Sequence, residues 1–515
     1  MTFEIVFVLL SLLGMVAALI ADKMRPGMIL FSVVVLFLCA GILTPKEMLE
    51  GFSNKGMITV ALLFLVSEGI RQSGTLGQVI KKLLPQGKTT VFKAQLRILP
   101  SVAFISAFLN NTPVVVIFAP IIKHWAKSVN LPATKFLIPL SYVTILGGIC
   151  TLIGTSTNLV VHGMILEAGF EGFSMFELGK VGIFIAIAGI IYIFLFSKRL
   201  LPDARPDTAV PDEEVEEGEK LHRVEAVLGA RFPGINKKLK DFNFQRHYGA
   251  EVKEIKTRNG QRFVSNLEEV VLHEGDTLVV MADDTFIPTW GESSVFVLLT
   301  NGNEPDTTGK KKRWFALLLL VLMIVGATVG ELPITKEMFP DIKLDMFFFV
   351  SITTIIMAWT NLFPARKYTK YISWDILITI ACAFAISKAM VNSGVADSVA
   401  KFIIGLSDDY GPHVLLAMVF IITNLFTELI TNNAAAALAF PLALSISAQL
   451  GVSPTPFFVV ICMAASASFS TPIGYQTNLI VQGIGNYKFT DFVRIGLPLN
   501  IITFLISIIL IPLIW

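Results

Sequence analysis

Residues 151–163 read Thr-Leu-Ile-Gly-Thr-Ser-Thr-Asn-Leu-Val-Val-His-Gly, and residues 471–483 read Thr-Pro-Ile-Gly-Tyr-Gln-Thr-Asn-Leu-Ile-Val-Gln-Gly. The copies share Thr151/Thr471, Gly154/Gly474, Thr157-Asn158/Thr477-Asn478 and Gly163/Gly483. Each is a polar, glycine-broken segment inside an apolar run. In hydrocarbon every backbone N–H and C=O must be satisfied internally. Irregular backbone survives there only where it is buried in protein or lines a cavity. Two such breaks in register therefore imply a duplicated membrane fold with a polar interior. Composition agrees: the chain is 54% hydrophobic and 16% charged, against about 25% charged in soluble chains. A net charge of +2 gives no reason to expect a nucleic-acid partner. The four cysteines, Cys39, Cys150, Cys382 and Cys462, lie in apolar segments without metal-ligand spacing and read as small core residues.

Apolar runs long enough to span a bilayer occupy residues 5–21, 28–43, 57–70, 136–164 and 181–196. The run 91–125 is basic at both ends and carries Asn110-Asn111-Thr112-Pro113 in its middle, so it reads as a re-entrant helical hairpin, about 91–127. After a hydrophilic stretch the pattern resumes over 314–329, 346–359, 376–391, 414–450, 457–484 and 492–515. The run 414–450 carries Asn432-Asn433-Ala434 and reads as a second hairpin, about 412–450. Residues 56–74 echo 374–394, which places Glu68 opposite Lys388. Each half thus holds five spans and one hairpin. Five is odd, so the second half enters the membrane upside down. The expected fold is an all-α polytopic membrane protein of two inverted repeats, 1–199 and 314–515, with a small α/β cytoplasmic insert over 200–313. Basic loops placed inside put this insert in the cytoplasm and both termini outside.

Inverted repeats with interrupted helices characterise secondary transporters, whose sites lie near the midplane. A half-helix that begins at a break offers free N–H groups and a positive dipole end to an anion. One that ends there offers carbonyls which, with Asn and Thr oxygens, make a cage for a small hard cation such as Na⁺. One expected cation cage combines Asn110, Asn111, Gly154, Ser156 and Asn158. The other combines Asn432, Asn433, Gly474, Gln476 and Asn478. The anion is expected between them, at Asn111, Thr112, Thr157, Asn158, Asn433, Thr477 and Asn478. Glu428, just before the second tip, is an intramembrane carboxylate and a further functional candidate. Glu68 and Lys388 are open between function and a structural or interfacial role. His162, opposite Gln482, reads as a satisfied polar residue.

The two hairpin tips followed by Gly-x-x-Thr-Asn breaks resemble the divalent anion–sodium symporter family, which includes sulfate and dicarboxylate carriers. That family carries Ser-Asn-Thr at both tips. The resemblance covers both membrane halves. It implies a homodimer with a scaffold part and a moving transport part, elevator-like alternating access, and sodium as the coupling ion, with two or more per cycle.

Within the insert, 201–220 is acidic and Pro-rich and reads as a solvated linker. Residues 221–290 read as strand 223–228, a segment from 237, strand 252–257, an Asn259-Gly260 turn and strand 276–281. The pattern Gly234-Ile-Asn-Lys-Lys-Leu, Tyr248-Gly-Ala-Glu-Val and Glu274-Gly-Asp-Thr-Leu-Val-Val resembles the TrkA-C regulatory module of potassium-uptake proteins. That resemblance implies dimerisation and a possible small-molecule ligand, without NAD binding. The expected function is sodium-coupled symport of a small inorganic anion, sulfate first, across the cell's inner (plasma) membrane. Dicarboxylate and then bicarbonate are the runners-up. A ligand-gated channel and a non-transporting anion receptor are the competitors of another class. No metal cluster, nucleophile elbow or phosphate loop speaks for an enzyme.

Overall fold

The computed structural model describes residues 3–21, 24–203, 222–229, 231–257, 261–283, 286–290, 295–300, 309–339, 341–405 and 411–515. Most of the acidic linker and the Asn259-Gly260 turn lie outside the described residues.

The first half runs α1 (Phe3–Ala21), α2 (Pro26–Cys39), α3 (Lys55–Gln72), α4 (Thr75–Leu83), α5 (Val91–Ser106), α6 (Asn111–Ser128), α7 (Thr134–Gly148), α8 (Ser156–Glu167) and α9 (Gly179–Leu200). The second repeats it as α10 (Lys310–Gly330), α11 (Met346–Trp359), α12 (Trp374–Asn392), α13 (Val395–Gly405), α14 (Gly411–Leu429), α15 (Asn432–Leu450), α16 (Thr455–Ser466), α17 (Gln476–Gly485) and α18 (Phe489–Ile514). Each helix of the first half thus has its counterpart nine labels later.

Packing follows the same rule. The hairpin arm α5 lies on α7 as α14 lies on α16. Across the halves, α2 packs on α12 as α11 packs on α3, and α6 packs on α17 as α15 packs on α8. The long helices α9 and α18 pack on each other. One apolar cluster runs through both halves, from Val60 through Leu140 to Val460 and Leu499. The chain is therefore two inverted repeats of five spans and a hairpin, as expected.

Local signals explain the corners. Gly74 (φ 71°) and Gly394 (φ 75°) end α3 and α12 in the left-handed conformation, which glycine adopts without a Cβ clash. The short amphipathic helices α4 and α13 follow, and in α4 Leu76 and Ile80 are buried while Lys81 and Lys82 are exposed. Of the cysteines, Cys382 and Cys462 are core residues. Cys39 is exposed and Cys150 half-buried, which corrects the reading of all four as core, and none is bridged.

The insert contains a five-stranded antiparallel sheet in the order β3-β2-β4-β1-β5. Its strands are β1 (His222–Leu228), β2 (Glu251–Lys256), β3 (Arg262–Phe263), β4 (Thr277–Ala282) and β5 (Phe296–Thr300), with short helical turns at Phe244–Tyr248 and Phe286–Trp290. β5 lies beyond the expected end of this unit at residue 290. The core is aromatic, with Phe232, Phe242, Phe244, Tyr248 and Phe296 in mutual contact.

The insert is seated on the helices. Glu225 of β1 accepts from Lys123 Nζ of α6 at 3.0 and 2.9 Å and from Lys256 Nζ of β2 at 3.4 Å. Burial acts to raise the Glu225 carboxyl, but Lys123 and Lys256 outweigh it and hold it at about 2, below its ordinary 4.5. The stabilisation from this ion pair is therefore complete above pH 4.5 and is lost only as the pH falls toward 2.

Candidate functional site

Four half-helices start at the four interruptions: α6 at Asn111, α15 at Asn432, α8 at Ser156 and α17 at Gln476. Their cap residues are Asn110, Thr431, Thr155 and Tyr475, and none makes a side-chain capping bond. The first N–H groups of a helix have no intrahelical partner, so each start keeps donors and the positive end of its dipole directed at the break.

Equivalent bonds shape the two breaks. Thr151 Oγ1 donates to the Ala107 carbonyl and accepts from Gly154 N at 3.2 Å. Thr471 Oγ1 donates to the Glu428 carbonyl at 3.1 Å and accepts from Gly474 N at 3.2 Å. Asn158 Nδ2 donates to Thr151 O at 2.9 Å, and Asn478 Nδ2 donates to Ser468 O at 2.9 Å and Thr471 O at 3.1 Å. The repeated Asn therefore uses its amide N–H to hold the break carbonyls and turns its oxygen inward. Asn478 Oδ1 accepts from Ser141 Oγ at 2.7 Å, and Ser141 also donates to Thr477 Oγ1 at 2.8 Å. Asn158 Oδ1 is buried without a hydrogen-bond partner.

The tips correct the sequence register. Ser106 Oγ donates to Asn111 Oδ1 at 2.7 Å, and Thr427 Oγ1 donates to Asn432 Oδ1 at 2.9 Å. Asn111 and Asn432 each open a half-helix, so Asn110-Asn111-Thr112 corresponds to Thr431-Asn432-Asn433 and not to Asn432-Asn433-Ala434. The third tip residue then crosses to the other half. Thr112 Oγ1 donates to Gln476 Oε1 at 3.2 Å, while Asn433 Oδ1 accepts from Thr157 at 3.2 Å and Ser156 at 3.4 Å. Asn433 thus faces the first break and Gln476 the first tip, although both were expected in the second cage.

Two oxygen cradles result. In the first, a Cβ on Gly148 would lie 2.7 Å from Asn111 Oδ1 and 3.1 Å from Gly154 O, and one on Gly154 would lie 2.5 Å from Gly148 O. In the second, a Cβ on Gly474 would lie 2.0 Å from Ser468 Oγ, 2.9 Å from Thr427 O and 3.1 Å from Thr471 Oγ1. Such sets of hard oxygen donors fit a small hard cation. The second cradle also holds a charge. Glu428, where the first half has Ala107, accepts from Ser470 N at 2.9 Å, Thr471 Oγ1 at 2.7 Å and Asn500 Nδ2 at 2.8 Å. Asn110 and Ser156 line a cavity of about 10 Å³ against Ser67 of α3, room for about one water.

Sequence reasoning did not single out Tyr475. It stands where the first break has Thr155. Its buried hydroxyl accepts from Asn111 Nδ2 at 2.6 Å and lies 3.1 Å from Thr155 Oγ1, with Asn432 as a further partner. One hydroxyl thus ties together all four helix starts. Ser106, Thr427, Ser141, Gly148, Ser468 and Asn500 were also missed; the hydroxyl five residues before each tip Asn was the available signal. The remaining ionisable candidates lie elsewhere. Glu68 accepts from Arg71 at 2.6 and 2.7 Å at the end of α3, Lys388 is exposed, and the His162 ring packs against Gly172.

Broken helices in inverted repeats, with oxygen cradles and converging helix starts, define a multi-pass membrane transporter. Eight of the described helices are long and apolar enough to cross a membrane. The profile of the citrate transporter family (CitMHS) matches residues 16–448 and 334–515, and the chain belongs to that family. An uncharacterised transporter of Synechocystis sp. is 30% identical over 94% of this chain and 92% of its own length. A probable sodium/sulfate cotransporter 3 of Chlamydomonas reinhardtii is 23% identical over 93% of this chain and 85% of its own. The crystal structure of the Alcanivorax borkumensis YdaH transporter, described as having an unusual topology, shares the fold with a TM-score of 0.52 at 12% identity. That match covers 91% of this chain and 87% of that one.

Proposed function

We propose that the chain is a sodium-coupled symporter of a small inorganic anion, sulfate first, working by elevator-type alternating access as a homodimer in the cell's inner membrane. The observation that carries this reading is the meeting of four uncapped helix starts around the Tyr475 hydroxyl. Backbone N–H groups and dipole ends aimed at one point suit a compact oxyanion. The partners found there are amides, hydroxyls, backbone groups and the Glu428 carboxylate, with none of the guanidinium forks that grip multiply charged carboxylates. The Chlamydomonas relative named as a sodium/sulfate cotransporter supports the same substrate and coupling ion. Two cradles argue for at least two sodium ions, held by Asn111, Gly148 and Gly154 in one and by Thr427, Ser468, Thr471 and Gly474 beside Glu428 in the other.

In the elevator reading the broken helices and hairpins, α5–α9 and α14–α18, move against a scaffold built on α2, α3, α11 and α12. Lys123, Lys310–Arg313 and the sheet lie on one side, which basic residues assign to the cytoplasm. We assign the insert as a TrkA-C-like regulatory domain, with both termini outside. The second reading, a citrate- or dicarboxylate-type carrier, is favoured by the family's description.

The test is uptake of labelled sulfate by proteoliposomes under an inward sodium gradient, competed by excess succinate, citrate or bicarbonate. Uptake that ignores the competitors supports the sulfate reading. Labelled citrate or succinate moving in place of sulfate would replace it with the second reading.

A further inference from the structure

The insert touches two groups of helices, and the two contacts differ in quality. Toward α6 and α17 it is close. Glu225 holds Lys123 of α6 by both carboxylate oxygens, and the side chains of this pair are 15% and 22% exposed. β5 also lies against α6. At Gly483 of α17 an added Cβ would sit 2.4 Å from Thr277 Oγ1 and 3.7 Å from Thr277 Cβ, and one on Gly275 would sit 3.5 Å from Leu479 Cδ2. Strand and helix thus approach through a glycine. Toward α2 and α12 the contact is open. Arg231 Nη2 donates to Ile372 O at 3.3 Å, beside a cavity of about 800 Å³. Its walls include Arg231, Ile235 and His273 of the insert and Met28, Phe31 and Asp375 of the helices.

This argument rests on the elevator reading above, in which α6 and α17 move against α2 and α12. A body that touches both groups can keep only one contact unchanged through such a movement. Close-packed interfaces hold one arrangement, whereas a seam with a cavity has room to change. We infer that the insert rides with α6 and α17 as part of the moving unit, and that its face toward α2 and α12 is the interaction surface through which the cytoplasm controls transport. A solute lodged in the seam then favours the conformation in which the cavity has this size. The ride also has a direct line to the site. α17 starts at Gln476, next to the Tyr475 hydroxyl, and α6 starts at Asn111.

Two cross-links test the inference, each in the full-length chain with Cys39 replaced by Ser. Thr277→Cys with Gly483→Cys places two Cβ atoms about 3.7 Å apart, within the range a disulfide bridges. Met28→Cys with Ile235→Cys, joined by a cleavable bis-thiol reagent, spans the seam. Mass spectrometry reads each yield with and without sodium and sulfate, and uptake is measured before and after cleavage. The inference predicts a Thr277–Gly483 disulfide whose yield ignores substrate and which leaves uptake unchanged. It predicts a seam link whose yield changes with substrate and which stops uptake until cleaved. It is overturned if the disulfide does not form in folded protein, if the disulfide stops uptake, or if the seam yield ignores substrate and the linked protein still transports. Absence of uptake in the parent chain retires the transport reading alone, because the cross-link yields still decide whether the insert is docked and the seam variable.

Discussion

Replacing Glu428 by Gln is expected to lower the apparent sodium affinity of uptake by roughly ten-fold or more, the range seen when a partner of metal-binding ligands is removed. The carboxylate takes donors on both oxygens, from Ser470 N and Asn500 on Oε1 and from Thr471 on Oε2. Glutamine keeps the shape but exchanges one acceptor for an amide donor, which then faces a donor. It also removes the negative charge beside the second cradle, so a cation there loses the nearest charge of opposite sign. Glu428→Asp keeps the charge and should lose less. The sodium activation curve in proteoliposomes decides between roles. A purely structural carboxylate lowers the amount of folded protein and leaves the sodium midpoint in place, whereas a coupling carboxylate moves the midpoint.

Gly154→Ala should be comparably damaging, for a steric reason. Its Cβ would lie 2.5 Å from Gly148 O, 2.7 Å from Gly148 Cα and 2.9 Å from Gly148 C. All three are backbone atoms of the preceding helix end, with no flexible side chain to swing aside. The break must open, carrying Gly154 O away from Asn111 Oδ1. A displacement of about 1 Å in a preorganised site costs up to about a hundred-fold in function, so uptake should fall by at least ten-fold, roughly. Gly163→Ala makes a useful contrast, because its nearest atom, at 2.6 Å, is the side-chain Asn54 Oδ1. Measured uptake per folded transporter should fall in Gly154→Ala far more than in Gly163→Ala.

The breaks were legible because glycine and an Asn-Thr pair inside hydrocarbon have few explanations, and because they occur twice in register. The fold followed from the same duplication. The tip register was not legible in this way. Residues 431–433 read Thr-Asn-Asn, and either Asn can be matched to Asn111 by eye. What decides is the hydroxyl of Thr427 bonded to Asn432, as Ser106 is bonded to Asn111, and that contact depends on how the hairpin closes. Tyr475 stayed hidden because an aromatic residue in a membrane segment ordinarily packs, and only the fold turns its hydroxyl toward Asn111 and Thr155. Glu428 stood out by its charge, but its place beside the second break did not. β5 was missed because its run, Phe296–Thr300, follows a polar segment that reads as the end of the domain.

The most direct measurement of the central claim is the sodium dependence of labelled sulfate uptake into proteoliposomes containing the purified full-length chain, with potassium replacing sodium at constant ionic strength. Two oxygen cradles flanking one anion site predict uptake that needs sodium and rises more steeply than in proportion to its concentration. Uptake at the same rate in potassium alone, or no movement of sulfate with sodium present, would contradict the account.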